Sequence, residues 1–334
     1  MLVTTTIRVC VVGAGAIGCT LAARIAASGQ PVSVLARGKT LEAISDGGIV
    51  LHDLDGEHHV QVHADRDCAR LGEQDVIFLC TKAQALTSLL PTLSPLLGPE
   101  TVVVPVVNGV PWWYFHGEAG RFAVRRVCSV DPDGVLNDAL DLQRILGSVV
   151  FITAETELPG VVRSGNPHLM ILGEPDNSLS ERLEKVRVLL ECAGINARAT
   201  DRIRDSLWTK IIANLTSNPL SVVTGATLEQ IYSHPDLRQT VRKILDEALL
   251  TAAAYGARVD YDPQSLMEMG AGKGPVRTSM LQDYGQGRPL ELLAIGDAVI
   301  ELASMQGLSM PVTQHIINLA RFRAESLLSR SRFS

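Results

Sequence analysis

Short apolar runs alternate with segments of helical period in the first half of the chain, and helical period takes over in the second. IRVCVV (7–12), PVSVLA (31–36), DVIFLC (75–80) and TVVVPVV (101–107) are rich in β-branched residues. Helical stretches start at Ala16, lie near Leu41–Ser45, and start again at Ala83. Apolar strands separated by helices predict a parallel sheet covered on both faces. GIVLHDLDGEHHVQVHA reads as a hairpin turning at Leu54-Asp55-Gly56. GSVVFITAE, GVVRSG and HLMILGE, set apart by turn residues, read as added strands with an antiparallel element.

Beyond residue 200 the pattern is almost entirely helical. DRIRDSLWTKIIANLTSN is one periodic segment and SHPDLRQTVRKILDEALLTAAAYG another. In the latter, Ser233 is the predicted N-cap, Asp236 completes a capping-box spacing, and Gly256 is the stop. RPLELLAIGDAVIELASMQG and PVTQHIINLARFRAESLLSR follow. The expected fold is an α/β N-terminal Rossmann-type parallel sheet with added strands over residues 1–200, then an all-helical C-terminal domain over 201–334. No internal repeat or low-complexity linker interrupts it.

Bulk properties narrow the function. The 334 residues suffice for two domains, and a net charge of -6 argues against a nucleic-acid partner. No apolar run approaches the ~20 residues of a membrane helix, so no membrane partner is expected. The six cysteines are sparse and none forms C-x-x-C, which points to reduced thiols and a cytoplasmic setting. His58 and His59 sit in the hairpin, where a two-strand turn is the simpler reading, and no metal is expected.

VVGAGAIGCTLAARIAASG (11–29) admits three readings: a signal peptide, a glycine-rich packing turn, or a nucleotide cradle. A strand runs directly into Gly13-Ala14-Gly15-Ala16-Ile17-Gly18, a helical pattern follows, and a second strand comes at the β-α-β offset. A signal peptide has no such second strand. In a dinucleotide site Gly13 permits the tight turn, Gly15 admits the pyrophosphate, and Gly18 lets helix and strand approach. Ala16 and Ile17 open the helix whose free N–H groups would meet the phosphates.

The second strand ends in Leu35-Ala36-Arg37. A carboxylate there would hold ribose hydroxyls and repel a 2′-phosphate. Ala36 removes that charge and Arg37 supplies the opposite one, so the expected cofactor is NADP(H). Lys82 and Asn108 each lie just past a predicted parallel strand, the edge where open α/β sheets bind ligands.

WTKIIANLTSNPL places Lys210, Asn214 and Asn218 at i, i+4 and i+8. Each step turns about 40° around a helix, so the three share one face. Pro219 should kink or stop the helix at Asn218. Such a stripe on an apolar helix needs a polar partner, either solvent, another helix, or a substrate carbonyl.

G-A-G-A-I-G, Arg37, Lys82-Ala83, Asn108-Gly109, W-x-K-x-x-x-N-x-x-x-N-P and T-S-M-L-Q-D followed by R-P-L-E resemble the ketopantoate reductases over most of the chain. The resemblance implies NADPH and a small 2-oxo acid in a cleft between a Rossmann domain and a helical domain. It implies reduction of 2-dehydropantoate to pantoate, a step of pantothenate and coenzyme A biosynthesis. By this resemblance Lys210 matches the catalytic lysine, and Asn214 and Asn218 the substrate-facing asparagines. Ser279 matches a substrate-holding serine, and Glu291 the glutamate that binds the substrate hydroxyl and orients the site. Lys82 and Asn108 match residues on the nicotinamide side, with Asn108 also among the substrate ligands.

The chemistry implied is charge control. Hydride transfer to a ketone leaves negative charge on oxygen, and an ammonium can stabilise it and donate the proton. Glu291 would accept a hydroxyl hydrogen bond and help keep Lys210 protonated. Leu293 stands where the family often has a polar residue, with Asp297 four positions on. The run Trp112-Trp113-Tyr114-Phe115 could lid the pocket, fill the core, or anchor a homodimer. Two other functions remain open, an opine-type or other 2-oxo acid dehydrogenase and a non-catalytic NADPH sensor.

Overall fold

A computed structural model describes residues 6–259 and 261–331. The chain forms two compact units. The first comprises residues 1–107, 115–125 and 134–203; the second comprises 108–114, 126–133 and 204–334. Two short stretches from before residue 200 therefore belong with the helical unit.

In the first unit the elements run β1 (Val9–Val12), α1 (Ala16–Ala27), β2 (Val32–Leu35), α2 (Gly38–Gly47), β3 (Ile49–Asp53), β4 (Gly56–Val60), β5 (His63–Asp65) and α3 (Cys68–Leu71). They continue as β6 (Gln74–Leu79), α4 (Leu86–Leu89), β7 (Leu97–Pro105), α5 (Val135–Ala139), β8 (Gly147–Phe151), β9 (Ala154–Leu158), β10 (Val161–Ser164), β11 (Leu169–Gly173), α6 (Glu181–Cys192) and β12 (Asn196–Ala199). The main sheet has the order β5-β2-β1-β6-β7 and all its pairings are parallel. β1 is central and wholly buried, as four consecutive apolar residues require. From β1 the chain steps to β2 on one side and later to β6 on the other, which makes the β1/β6 border a topological switch point.

The added strands do not extend that sheet. β4-β3-β10-β9 forms one separate sheet and β12-β11-β8 another. The predicted hairpin is present as antiparallel β3 and β4, but β3 also pairs in parallel with β10. The reason is α1. Its Leu21, Ala22, Ala23 and Ile25 are fully buried, since the helix packs against β1 and β2 and also against β3, β4, β9 and β10. A helix apolar all round needs cover on both sides, and the four-stranded sheet supplies the second side. Arg24 fastens it, with Nε on Asp53 and a bidentate pair on Asp55, each at 2.7 Å. The carboxylates of Asp53 and Asp55, which lie close to His58, thus have a cation among them already.

The second unit holds α7 (Ile203–Thr224), α8 (Leu228–Ser233), α9 (Pro235–Ala254), α10 (Pro263–Ala271), α11 (Ser279–Gly285), α12 (Ala298–Met305) and α13 (Pro311–Ser331). Two sequence expectations are corrected here. Ser233 ends α8 rather than capping α9; His234 is the N-cap, because Pro235 takes the first helical position and holds His234 extended. The cap with a reciprocal box lies one helix earlier, Thr227 with Gln230. Gly256 does stop α9, with a φ of +71°.

α7 does not stop at Asn218. It continues through Pro219 to Thr224. An interior proline costs about 3 kcal/mol. Burial of Leu215, Leu220 and Val222, each 2% exposed or less, returns about 1.5–3 kcal/mol apiece. The hydroxyls of Thr216, Ser217 and Ser221 bond back to the backbone around the proline. Among the described residues no helix is long and apolar enough to cross a membrane.

Candidate active site

In the first unit the glycine turn shows a separate reason for each glycine. Gly13 has a φ of +106°, and a Cβ there would sit 2.7 Å from Thr81 Cγ2. Gly18 is the close-packing position, since its Cβ would lie 1.9 Å from the Gly13 carbonyl oxygen. Gly15 is different: it is the N-cap of α1, it is exposed, and no atom lies within 4 Å of an added Cβ. Ala16 and Ile17 follow in the first turn of α1, half-buried. The open side of Gly15 above unpaired helix N–H groups is a cradle that a side chain would fill, and it fits the pyrophosphate of a dinucleotide. The Thr81 hydroxyl close by is buried with no hydrogen-bond partner among the described residues. Ala36 is buried and Arg37 is exposed at the N-cap of α2, where no acid sits in the first turn. Lys82 is half-buried just past β6.

In the second unit α7 carries Lys210 and Asn214, both half-buried, and Asn218, which is 4% exposed. Asn218 Oδ1 accepts a hydrogen bond from Ser217 Oγ at 3.3 Å. Burial pulls the Lys210 ammonium down to about 8, while the Glu291 carboxylate pulls the other way. Glu291 is buried, 8% exposed, and its Oε2 accepts from Asn108 Nδ2 at 3.3 Å across 183 residues of sequence. The fold therefore gathers Lys210, Glu291 and Asn108, three of the residues singled out from sequence. Ser279 is exposed at the first position of α11. Its neighbour Thr278 caps that helix and bonds Ser221 of α7, hydroxyl to hydroxyl, at 2.6 Å.

Sequence reasoning missed the support of this cluster. The helical stretch after Glu291 widens to a π turn over Leu293–Asp297, a feature often found near functional sites. The carbonyl of Ala294 in that turn accepts the Val110 N–H at 2.9 Å. Gly109, with a φ of +80°, lies so close that a Cβ would be 2.4 Å from the Ala294 carbonyl. The Asn-Gly dipeptide hinted at a turn, but nothing local in the sequence named its partner. Leu293, the family departure, is exposed.

The aromatic run is core, not lid. Trp112, Trp113, Tyr114 and Phe115 are each 3% exposed or less. Tyr114 accepts a hydrogen bond from Trp208 Nε1 at 2.8 Å and lies edge-on to Tyr255. Phe115 stacks on Phe122 in the first unit. Apolar area and the shared Tyr114 tip place the cluster in the core, where the buried Nε1 atoms of Trp112 and Trp113 have no hydrogen-bond partner among the described residues.

Comparison with known proteins shows the family. Residues 9–177 match the family model described as ketopantoate reductase PanE/ApbA, and residues 202–324 match its C-terminal counterpart. A 2-dehydropantoate 2-reductase of Mesorhizobium japonicum is 37% identical over 94% of this chain and 97% of its own length. The crystal structure of a provisionally named ketopantoate reductase from Ralstonia solanacearum MolK2 superposes with a TM-score of 0.92 at 37% identity, covering 96% of this chain and 99% of that one. D-mandelate dehydrogenase in complex with NADH and anilino(oxo)acetate shares the fold, with a TM-score of 0.82 at 20% identity over 96% of this chain and 99% of that one. With both halves matched in order and a relative of that identity along nearly the whole length, this chain belongs to the ketopantoate reductase family of oxidoreductases.

Proposed function

We propose that this enzyme reduces 2-dehydropantoate to pantoate with NADPH, with Lys210 as the general acid. The observation that carries the reading is the ammonium of Lys210, set on one stripe with two asparagines and drawn to a pKa of about 8 between burial and the Glu291 carboxylate. At neutral pH such a group is mostly charged, yet it gives up a proton far more readily than an exposed lysine. A non-catalytic sensor has no use for that tuning.

When bound, NADPH supplies the hydride. The first unit would hold its pyrophosphate at the Gly13–Gly18 turn with Ala16 and Ile17, its 2′-phosphate on Arg37, and its nicotinamide side near Lys82. As negative charge builds on the substrate oxygen, Lys210 stabilises it and donates the proton, leaving a neutral amine that solvent reprotonates. Glu291 accepts the substrate hydroxyl and favours the charged amine. The amides of Asn108, Asn214 and Asn218 and the Ser279 hydroxyl are assigned to substrate oxygens, which they can hold without adding charge. The buried aromatic run removes the main reason to expect an enlarged or lidded pocket, and the 37% identical relative is named for 2-dehydropantoate.

The test is NADPH oxidation by purified protein across a panel of 2-oxo acids. The expected result is the highest kcat/KM with 2-dehydropantoate. Preference for another 2-oxo acid would move the assignment to a different reductase of the same fold. The cofactor choice has its own test. Arg37→Ala should raise the Kd for NADPH by about 10–100-fold, as loss of a charge-assisted phosphate contact does, and leave NADH binding nearly unchanged. Equal losses for both would remove the 2′-phosphate argument.

A further inference from the structure

The Asn108 amide and the Glu291 carboxylate sit on chain segments far apart in sequence, yet they meet at 3.3 Å. Neither residue lies inside a regular element: Asn108 is in a bend and Glu291 is the residue before a helical stretch. Three observations show what locks them. The Val110 N–H bonds the Ala294 carbonyl at 2.9 Å. That carbonyl lies in the π turn three residues after Glu291. Gly109, between Asn108 and Val110, approaches the same carbonyl so closely that a Cβ would stand 2.4 Å from its carbon and oxygen. Gly296, in the same π turn, packs closely on Ile317, with a Cβ there 2.2 Å from Ile317 Cδ1.

We propose that Gly109 is a positioning residue for the reaction: by seating the 108–110 turn on the Ala294 carbonyl, it holds the Asn108 amide on Glu291 and thereby fixes the carboxylate that acts on Lys210. Glycine is required twice, for the left-handed backbone and for the close approach. The inference rests on Lys210 being the general acid. Glu291 is the charged group that opposes the effect of burial on the Lys210 amine. Moving its carboxylate away lets burial win, so the lysine loses its proton at lower pH and activity falls off earlier as pH rises.

The experiment is the pH dependence of kcat/KM for the wild type, Gly109→Ala, Glu291→Gln and the double variant, with NADPH Kd and Tm measured alongside. The wild type should lose activity on the alkaline side near pH 8. Gly109→Ala should lower kcat/KM by about 10–100-fold, since a misplacement of about 1 Å costs up to about a hundredfold, and move the alkaline limb down by about one pH unit. Glu291→Gln should move it the same way. Adding Gly109→Ala to Glu291→Gln should move the limb no further, because the two act through one group. NADPH Kd should stay within about twofold. Should Gly109→Ala fail to fold, Ala294→Ser is a smaller wedge from the opposite side, and the same shift is expected. A limb unmoved in the folded variant, with only Tm or active fraction reduced, overturns the inference and makes Gly109 a packing residue. A wild type with no alkaline limb, or a fully active Lys210→Ala, removes instead the general-acid assignment.

Discussion

Lys210→Ala is expected to lower kcat for ketone reduction by about 10²–10⁴-fold while NADPH binds as it does to the wild type. The size follows from what is lost. The alkoxide that forms on hydride transfer would have no ammonium to stabilise it and no proton donor. Cofactor affinity is spared because the glycine turn between β1 and α1, and Arg37 just past β2, belong to the other unit. Lys210→Arg should not restore turnover, although it keeps the charge: a guanidinium with a pKa above about 12 does not give up a proton near neutrality. In the wild type the rate should fall as pH rises through about 8, since only the protonated amine can act as the acid. An alanine variant with unchanged kcat would end the assignment, whatever the cofactor affinity.

Local patterns carried the first unit and failed wherever two distant segments decide the matter. β1, the glycine turn and α1 were legible because each signal lies within one short window: an apolar run, three spaced glycines, and a helical period. The separate four-stranded sheet was not. β3 pairs with β10 more than 100 residues later, and the demand for that pairing comes from the far side of α1, which no strand pattern expresses. Helix α7 illustrates the same limit from the other direction. Pro219 is a strong local breaker, yet burial of the residues around it outweighs the local preference.

The candidate site divides along the same line. Lys210, Asn214 and Asn218 share a helical stripe, so spacing alone placed them on one face. The bond from Asn108 to Glu291 and the seating of Gly109 on Ala294 are contacts between segments about 185 residues apart. Spacing says nothing about them, and only the family resemblance grouped the first pair. The aromatic run was ambiguous for a physical reason: a lid, a core and an interface all use large rings. Burial of 3% exposure or less settles it for the core.

Gly18→Ala and Gly15→Ala differ by three residues in one motif and are expected to fail in opposite ways. At Gly18 the new methyl would lie 1.9 Å from the Gly13 carbonyl oxygen and 3.2 Å from Cys80 Cβ, against backbone that cannot step aside. α1 would have to lift from β1, and α1 is the shared core of two sheets. The expected cost exceeds about 3 kcal/mol, the upper range for overpacking a tight interior, and shows as a large drop in Tm or as no folded protein. At Gly15 the backbone is ordinary, with a φ of -79°, and the space is open. Alanine there should leave Tm nearly unchanged, because the lost freedom of the unfolded chain, about 0.4–1 kcal/mol, is offset by alanine's poorer fit to an N-cap. Its methyl would occupy the space the cofactor needs, so NADPH binding should weaken by at least about tenfold, the cost of ~1.4 kcal/mol of steric conflict. Thermal unfolding of the apo protein and NADPH titration separate the two. A stable Gly15→Ala that binds NADPH as the wild type does would show that the pyrophosphate does not lie over this turn, and the dinucleotide reading of the motif would have to be given up.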